Sequence, residues 1–397
     1  MKNSIQKIAG IIITLSLIGG MIFLRTQMSK TFDYQNSNFA FFWLSGRMIL
    51  EGESPYNETQ YLAGHDTYGI KWRPNNIFPY PLPLALIFIP FGLISLAKAY
   101  VLWQIVSLVS IVLIIFILLN HWKDSAQRRL LLPIFAFMFF FGPLYLTLFT
   151  GSIGAIAALV ILGAILLFEK DRSLLAGVVL SLTILKPPQG LPILLLAGIW
   201  FLARRDWKAI LGVAIGGISL LLIGMIQDPL WAIKFLGASQ AVMDRTQGVH
   251  SNVWAFSYLV CGGASPCSTL MGGTLGLVLL GLGGFFLWQH QAKVTAWEAF
   301  NIIIPIAFVS TIYLWAYDQL TYIIPIVWIV GTLVERTKSY IHAFLFLIVL
   351  DVFSFYALVQ QAATDQDLWS LGTTVIVLGM VLGLLYIKPI DKPSPLA

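Results

Sequence analysis

Two ionisable residues of this chain stand at the ends of apolar runs, where a charge has few places to go. Lys186 closes the run 173–186 and is followed at once by Pro187-Pro188-Gln189, which must end the helix. An ammonium costs about 2.5–3.5 kcal/mol at a bilayer centre on insertion scales, so a lysine at a helix end either snorkels to the headgroups or holds an anion. Asp318, in Trp315-Ala316-Tyr317-Asp318-Gln319, lies between two apolar runs and is either a solvated loop carboxylate or an acid–base group facing the same compartment. Asp351 falls inside an apolar run with no partner nameable from the sequence, and reads as a polar group in helix packing.

Other chemistry is thinly represented. There is no P-loop, no G-x-S-x-G and no H-E-x-x-H, and five histidines are dispersed along the chain. Asp365-Gln366-Asp367 resembles a metal-binding D-x-D, but beside Gln360, Gln361 and Thr364 a solvated turn is the ordinary reading. Neither a metal site nor a cofactor is expected. Cys261 and Cys267 are the two cysteines, and they form either a small disulfide in an oxidising compartment or two free thiols.

The elements that hold these groups belong to a membrane. The chain has 397 residues, 58% apolar, with 24 Lys+Arg and 18 Asp+Glu. A soluble chain of this length would carry roughly 100 charged residues, so the bilayer must solvate most of the surface. Soluble enzymes, nucleic-acid binders and disulfide scaffolds are excluded, and the net charge of +6 is better read as a topology signal than as a polyanion site.

Apolar stretches at 8–24, 96–120, 129–149, 153–168, 173–186, 190–203, 209–226, 269–288, 299–314, 319–334, 341–360 and 369–387 predict about twelve transmembrane helices in one integral membrane domain over 1–397. The segment 79–95 is apolar enough to span, but Pro79, Pro81, Pro83 and Pro90 make it an interfacial or re-entrant piece. With that choice and the N-terminus inside, fifteen of the 24 Lys and Arg fall on one side, from Lys2 and Lys7 to Lys388 and Lys392. Both termini are then cytoplasmic. Leu24-Arg25-Thr26-Gln27 offers no small-residue cleavage site, so 8–24 reads as an anchor.

The extracytoplasmic side collects the unusual residues. Its first loop, 25–78 and continuing to 95, is rich in Tyr, Trp and both charge signs, and far longer than a connector. Within it Phe39, Phe42, Trp43 and Ile49 recur at helical spacing with Arg47 on another face, as in an interfacial helix. The second loop, 227–268, carries Asp228, Asp244, Arg245, His250, Asn252 and Trp254.

The run Asn38-Phe39, Phe42-Trp43, Gly46-Arg47, Leu50, Gly52, Pro55-Tyr56 resembles the opening signature of glycosyltransferase family 87, polyprenol-phosphate-sugar-dependent membrane enzymes of GT-C architecture. The stretch 79–90 looks like that family's aromatic-proline segment, Ala176-Gly177 to Leu185-Lys186-Pro187 like its Lys-Pro helix, Arg204-Arg205-Asp206-Trp207 like its basic turn, and 315–319 like its late aromatic-acid segment. The resemblance extends over most of 30–330. It departs in two places: Asn38 stands where the family usually has the Asp expected as catalytic base, and Gly151-Ser152 where it often has Gly-Gln.

The resemblance implies an all-α, GT-C-like polytopic protein of the cell membrane with an extracytoplasmic active site. It implies transfer of a hexose, mannose being usual, from a polyprenyl phosphate to a hydroxyl of a lipid or glycan acceptor, with inversion. The partners expected are that donor, the acceptor and membrane lipids, with no nucleic acid. Asp33, five residues before Asn38, is the first candidate base and Asp318 the second, unless catalysis is altered or lost. Lys186, Arg73 and His250 are candidates for the donor phosphate, and Asn38, Arg47 and Tyr56 for substrate contacts. Two rivals are a transporter or flippase, which would show paired halves, and a binder of lipid-linked sugar that does not turn it over.

Overall fold

The computed structural model describes residues 33–71, 76–121, 131–246, 248–364 and 366–387. Their regular structure is helical throughout. The stretch 8–24 and the candidate Arg73 lie outside the described residues.

Helix α1 (Asn38–Leu50) begins where the Ser37 hydroxyl accepts from the Ala40 amide at 3.3 Å, an N-terminal cap. Instead of lying with one face on the bilayer, α1 is buried along nearly its whole length. The reason is that aromatic rings surround it and a second aromatic layer answers them: Phe39 packs on Phe88, Phe91, Tyr100 and Trp103 with centroids 5.8–6.0 Å away. Helix α2 (Glu58–Tyr68) is capped by Asn57 and stopped by Gly69 at φ 66°.

The proline-rich stretch folds as α3 (Leu82–Ile87) and α4 (Ile89–Gly92), too short to cross a membrane. They sit under α1 at backbone contact. A Cβ on Gly46 would stand 2.5 Å from the Phe88 carbonyl oxygen, so a side chain there would push the helices apart.

The bundle then runs through α5 (Leu96–His121), α6 (Leu131–Phe140), α7 (Gly142–Thr150), α8 (Gly154–Glu169), α9 (Ser173–Ser181), α10 (Pro187–Arg204), α11 (Trp207–Gln227), α12 (Trp231–Thr246), α13 (Val253–Val260), α14 (Pro266–Gln289), α15 (Ala296–Ser310), α16 (Ile323–Thr337), α17 (Tyr340–Thr364) and α18 (Leu371–Ile387). Short 3-10 helices extend α9 over Leu182–Leu185 and precede α16 over Ala316–Tyr322 and α18 over Leu368–Ser370.

Six segments are long and apolar enough to cross a membrane, Leu96–Leu118, Trp207–Gln227, Pro266–Gln289, Ala316–Thr337, Tyr340–Gln361 and Leu368–Tyr386, and a seventh arises if α7 and α8, bent by 117°, are one span. The count of twelve is not borne out among the described residues. Gly142-Pro143 splits one apolar run, 131–150, and the helices Ser173–Leu185 and Ala296–Ser310 are shorter than a perpendicular span needs. The chain is nonetheless a multi-pass membrane protein. Val101, Ile105, Leu108 and Val112 form an exposed stripe along α5, and Leu211, Ile215, Ile218 and Leu222 another along α11. Such stripes are stable only against lipid.

At the centre, α15 and α16 are covered nearly all round, with Ile302, Ile303, Ala307, Ile326 and Val330 fully buried. Since lipid is as apolar as leucine, close packing must hold the bundle. Helices α9 and α11 achieve it with glycine: a Cβ on Gly212 would come within 2.1 Å of the Leu174 carbonyl oxygen.

Candidate active site

Lys186 is the hinge residue of the α9–α10 break. The 3-10 extension of α9 ends on it, and α10 starts with Pro187 and Pro188, whose missing amides cost nothing in a first turn. Its side chain is 3% exposed. It is therefore no snorkelling lysine. Its Nζ donates to Asp318 Oδ1, 132 residues away, and stands 4.8 Å from the centre of the Tyr317 ring.

Asp318 is fully buried in the 3-10 helix before α16, so it is not a solvated loop residue. Its second oxygen accepts from the Trp315 amide at 3.2 Å, which closes the turn on itself. A buried ion pair of this kind is costly to desolvate and gains little stability over an apolar pair, so its presence points to a use for the charges.

Lys186 borders a cavity of about 620 Å³, with Asp318 behind it as its ion-pair partner. Lys186, Tyr80 and Tyr313 line it together with apolar groups such as Leu191, Leu236 and Leu277, which are themselves more than half exposed on the lipid-facing surface. The cavity is thus apolar over most of its wall and open between α10, α12 and α14, with the Lys186 ammonium as its one cation among the described residues. The first loop reaches it through Tyr80, whose carbonyl accepts from the Tyr56 hydroxyl at 2.6 Å. The Thr311 hydroxyl donates to the Pro188 carbonyl and ties the end of α15 to the Lys186 break.

His250 lies behind the wall, its ring 4.5 Å from that of Tyr313 and 5.0 Å from that of Trp315. Burial lowers its pKa to about 4, so at neutral pH it is a neutral imidazole and supplies no charge for a phosphate.

The remaining candidates stand apart from the pair. Asp33 is half-buried and ion-paired with Lys71 at 3.1 Å, and does not line the cavity. Arg47 Nε donates to Glu51 at 2.7 Å and to the Tyr68 hydroxyl at 3.1 Å, in a separate cleft beside the start of α5. Asn38 is buried at the first turn of α1. Its neighbour Phe39 is so close to Gly151 that a Cβ there would stand 2.7 Å from the Phe39 Cβ, so the two departing motifs pack on one another. Asp351 is partly buried in α17, with Oδ1 lacking a hydrogen-bond partner among the described residues.

Two features were hidden in the sequence, an aromatic wall and a buried carboxylate. Tyr80 and Tyr317 emerge as a cavity wall and a lysine partner, and their aromatic clusters were the available signal. Asp367, part of the D-x-D pattern, is 1% exposed and accepts from the Ala316 amide at 2.6 Å rather than facing water. Of the two readings left open for Cys261 and Cys267, the disulfide is the one found, at the entry to α14. Among the described residues no group of three or more His, Cys, Asp or Glu is placed to hold a metal.

The site therefore combines a buried ion pair with a largely apolar cavity in a helical, multi-pass membrane protein. The particular class follows from the sequence: residues 78–312, more than half of the chain, match the family model of glycosyltransferase family 87, and the chain belongs to that family. It is a membrane glycosyltransferase, with a sugar donor and an acceptor as substrates. The match includes Lys186 and His250 but neither Asn38 nor Asp318. No curated protein and no solved structure matches the chain.

Proposed function

We propose that this protein transfers a hexose, mannose by family resemblance, from a polyprenyl phosphate to an acceptor hydroxyl, inverting the anomeric centre. The observation that carries this reading is Lys186, held by Asp318, in the wall of the apolar cavity. A sugar–phosphate–lipid diester has one negative charge, and the monoester that leaves gains a second. A cation at the phosphate therefore stabilises the transition state more than the ground state. The prenyl chain would occupy the groove lined by Leu191, Leu236 and Leu277.

Binding and activation are linked in this scheme. The donor phosphate draws Lys186 away from Asp318, and the freed carboxylate becomes the base. The acceptor O–H proton passes to Asp318 as the acceptor oxygen attacks C1, and the C1–O bond breaks with its electron pair leaving on the phosphate. Asp318 is favoured over Asp33 because it is paired with Lys186, a residue of the cavity wall, whereas Asp33 is only half-buried and paired with Lys71. An extracytoplasmic site, both termini cytoplasmic and one membrane domain over 1–397 belong to the same proposal. The sidedness of Lys and Arg supports it, as does the disulfide in the 227–268 loop.

The competing reading, a binder without turnover, draws on Asn38 and on both Asp318 oxygens being engaged. One assay separates the two. The purified chain in proteoliposomes, given labelled hexosyl-phospho-polyprenol and lipid or glycan acceptors, should release polyprenyl phosphate and form a glycoside of opposite anomeric configuration. Donor binding with no release would establish the binder instead.

A further inference from the structure

The loop between α17 and α18 lies outside the family match and is distant in sequence from the ion pair. In space it is attached to the turn that carries Asp318. Asp367 Oδ2 accepts from the Ala316 amide at 2.6 Å, and the Asp367 amide donates to the Val249 carbonyl at 2.8 Å, one residue from His250. Two further contacts continue the seam: Gln319 Nε2 donates to the Ser370 carbonyl at 2.8 Å, and the hydroxyls of Tyr322 and Thr374 are 2.7 Å apart. Residues 367–374 thus hold the whole 3-10 helix Ala316–Tyr322.

The arrangement of the first amides shows why a carboxylate is needed there. The opening amides of a helix have no partner within it. That of Trp315 is taken by Asp318 Oδ2 and that of Ala316 by Asp367 Oδ2. If Asp367 were lost, the Ala316 amide would be buried without an acceptor, and the nearest carboxylate in the turn is Asp318 itself. Asp318 would then be drawn toward the backbone and away from Lys186.

We infer that Asp367 is a positioning residue of the transfer reaction: by occupying the Ala316 amide it leaves the Asp318 carboxylate free to face Lys186. The inference rests on the proposed roles of Lys186 and Asp318. It gives the D-x-D loop a task that involves neither metal nor solvent.

The test uses three substitutions in the full chain. Asp367→Asn keeps an oxygen acceptor in the same place and should hold kcat within about threefold of the native protein. Asp367→Glu keeps the charge but lengthens the reach, and should lower kcat about tenfold. Asp367→Ala should lower it about 100-fold, as displacement of a reacting group by an ångström does. In each case the donor KM of the folded protein should stay within about threefold. A merely structural residue would reduce the folded fraction and leave kcat per folded molecule unchanged, and a purely electrostatic one would rank Glu above Asn; either result overturns the inference. Should Asp367→Ala fail to fold, the Asn and Glu variants alone still decide the ranking. If the native chain transfers no sugar, the proposed function fails on its own, and hydrogen exchange reads the clamp directly. Exchange at the Ala316 and Asp318 amides should then accelerate more than tenfold in Asp367→Ala and not in Asp367→Asn, and equal protection in all variants refutes the clamp.

Discussion

Lys186→Ala should abolish sugar transfer, with a loss of about 10³-fold or more in kcat/KM measured in proteoliposomes with the lipid-linked donor. Removing one preorganised group from a developing anion commonly costs 10²–10³-fold, and Lys186 is the ammonium that lines this cavity. The same change should destabilise the fold, because it leaves the fully buried Asp318 without its partner. Breaking a buried pair from one side costs roughly 3–5 kcal/mol. Activity and stability can be separated by neutralising both ends: Lys186→Met with Asp318→Asn should recover most of the thermal stability and none of the turnover. Recovery of turnover in that double variant, or unchanged turnover in Lys186→Ala, would remove the lysine from the reaction.

Asp318→Asn should lower kcat by about 10²–10⁴-fold, the range expected for loss of a general base. The sign of its effect on binding is the more telling part. With no carboxylate competing for the ammonium, the donor should bind as tightly as to the native chain or more tightly, so KM should fall or hold while kcat drops. Asp33→Asn, at a partly exposed ion pair with Lys71, should change kcat by less than twofold. The opposite pattern, a large loss at Asp33 and none at Asp318, would move the base to the first loop.

Local chemistry made part of this architecture legible. The Lys186-Pro187-Pro188 break is written in three adjacent residues, and the four prolines of 79–95 ruled out a span there. Composition was enough to place the chain in a membrane. The number of spans was not recoverable from apolar run length alone, because a bend such as that between α7 and α8 depends on what packs on each side of it. Helix α1 shows the same limit: periodicity marks a helix, but the aromatic layer from 88–103 that buries it comes from elsewhere in the chain. The pairing of Lys186 with Asp318 spans 132 residues, and that of Asp367 with Ala316 spans 51. No window of sequence contains either one. His250 looked like a phosphate ligand by type and loop, and only its burial against Tyr313 and Trp315 shows that it carries no charge at neutral pH.

The most direct measurement is a structure of the full chain in lipid with a polyprenyl phosphate bound. The phosphate should sit within about 4 Å of Lys186 Nζ, a salt-bridge distance, beside Tyr80 and Tyr313, with the prenyl chain between α10 and α14 and the Asp318 carboxylate released toward the sugar side. A phosphate seated instead in the Arg47 cleft near Asp33, with the Lys186–Asp318 pair still closed, would contradict the account.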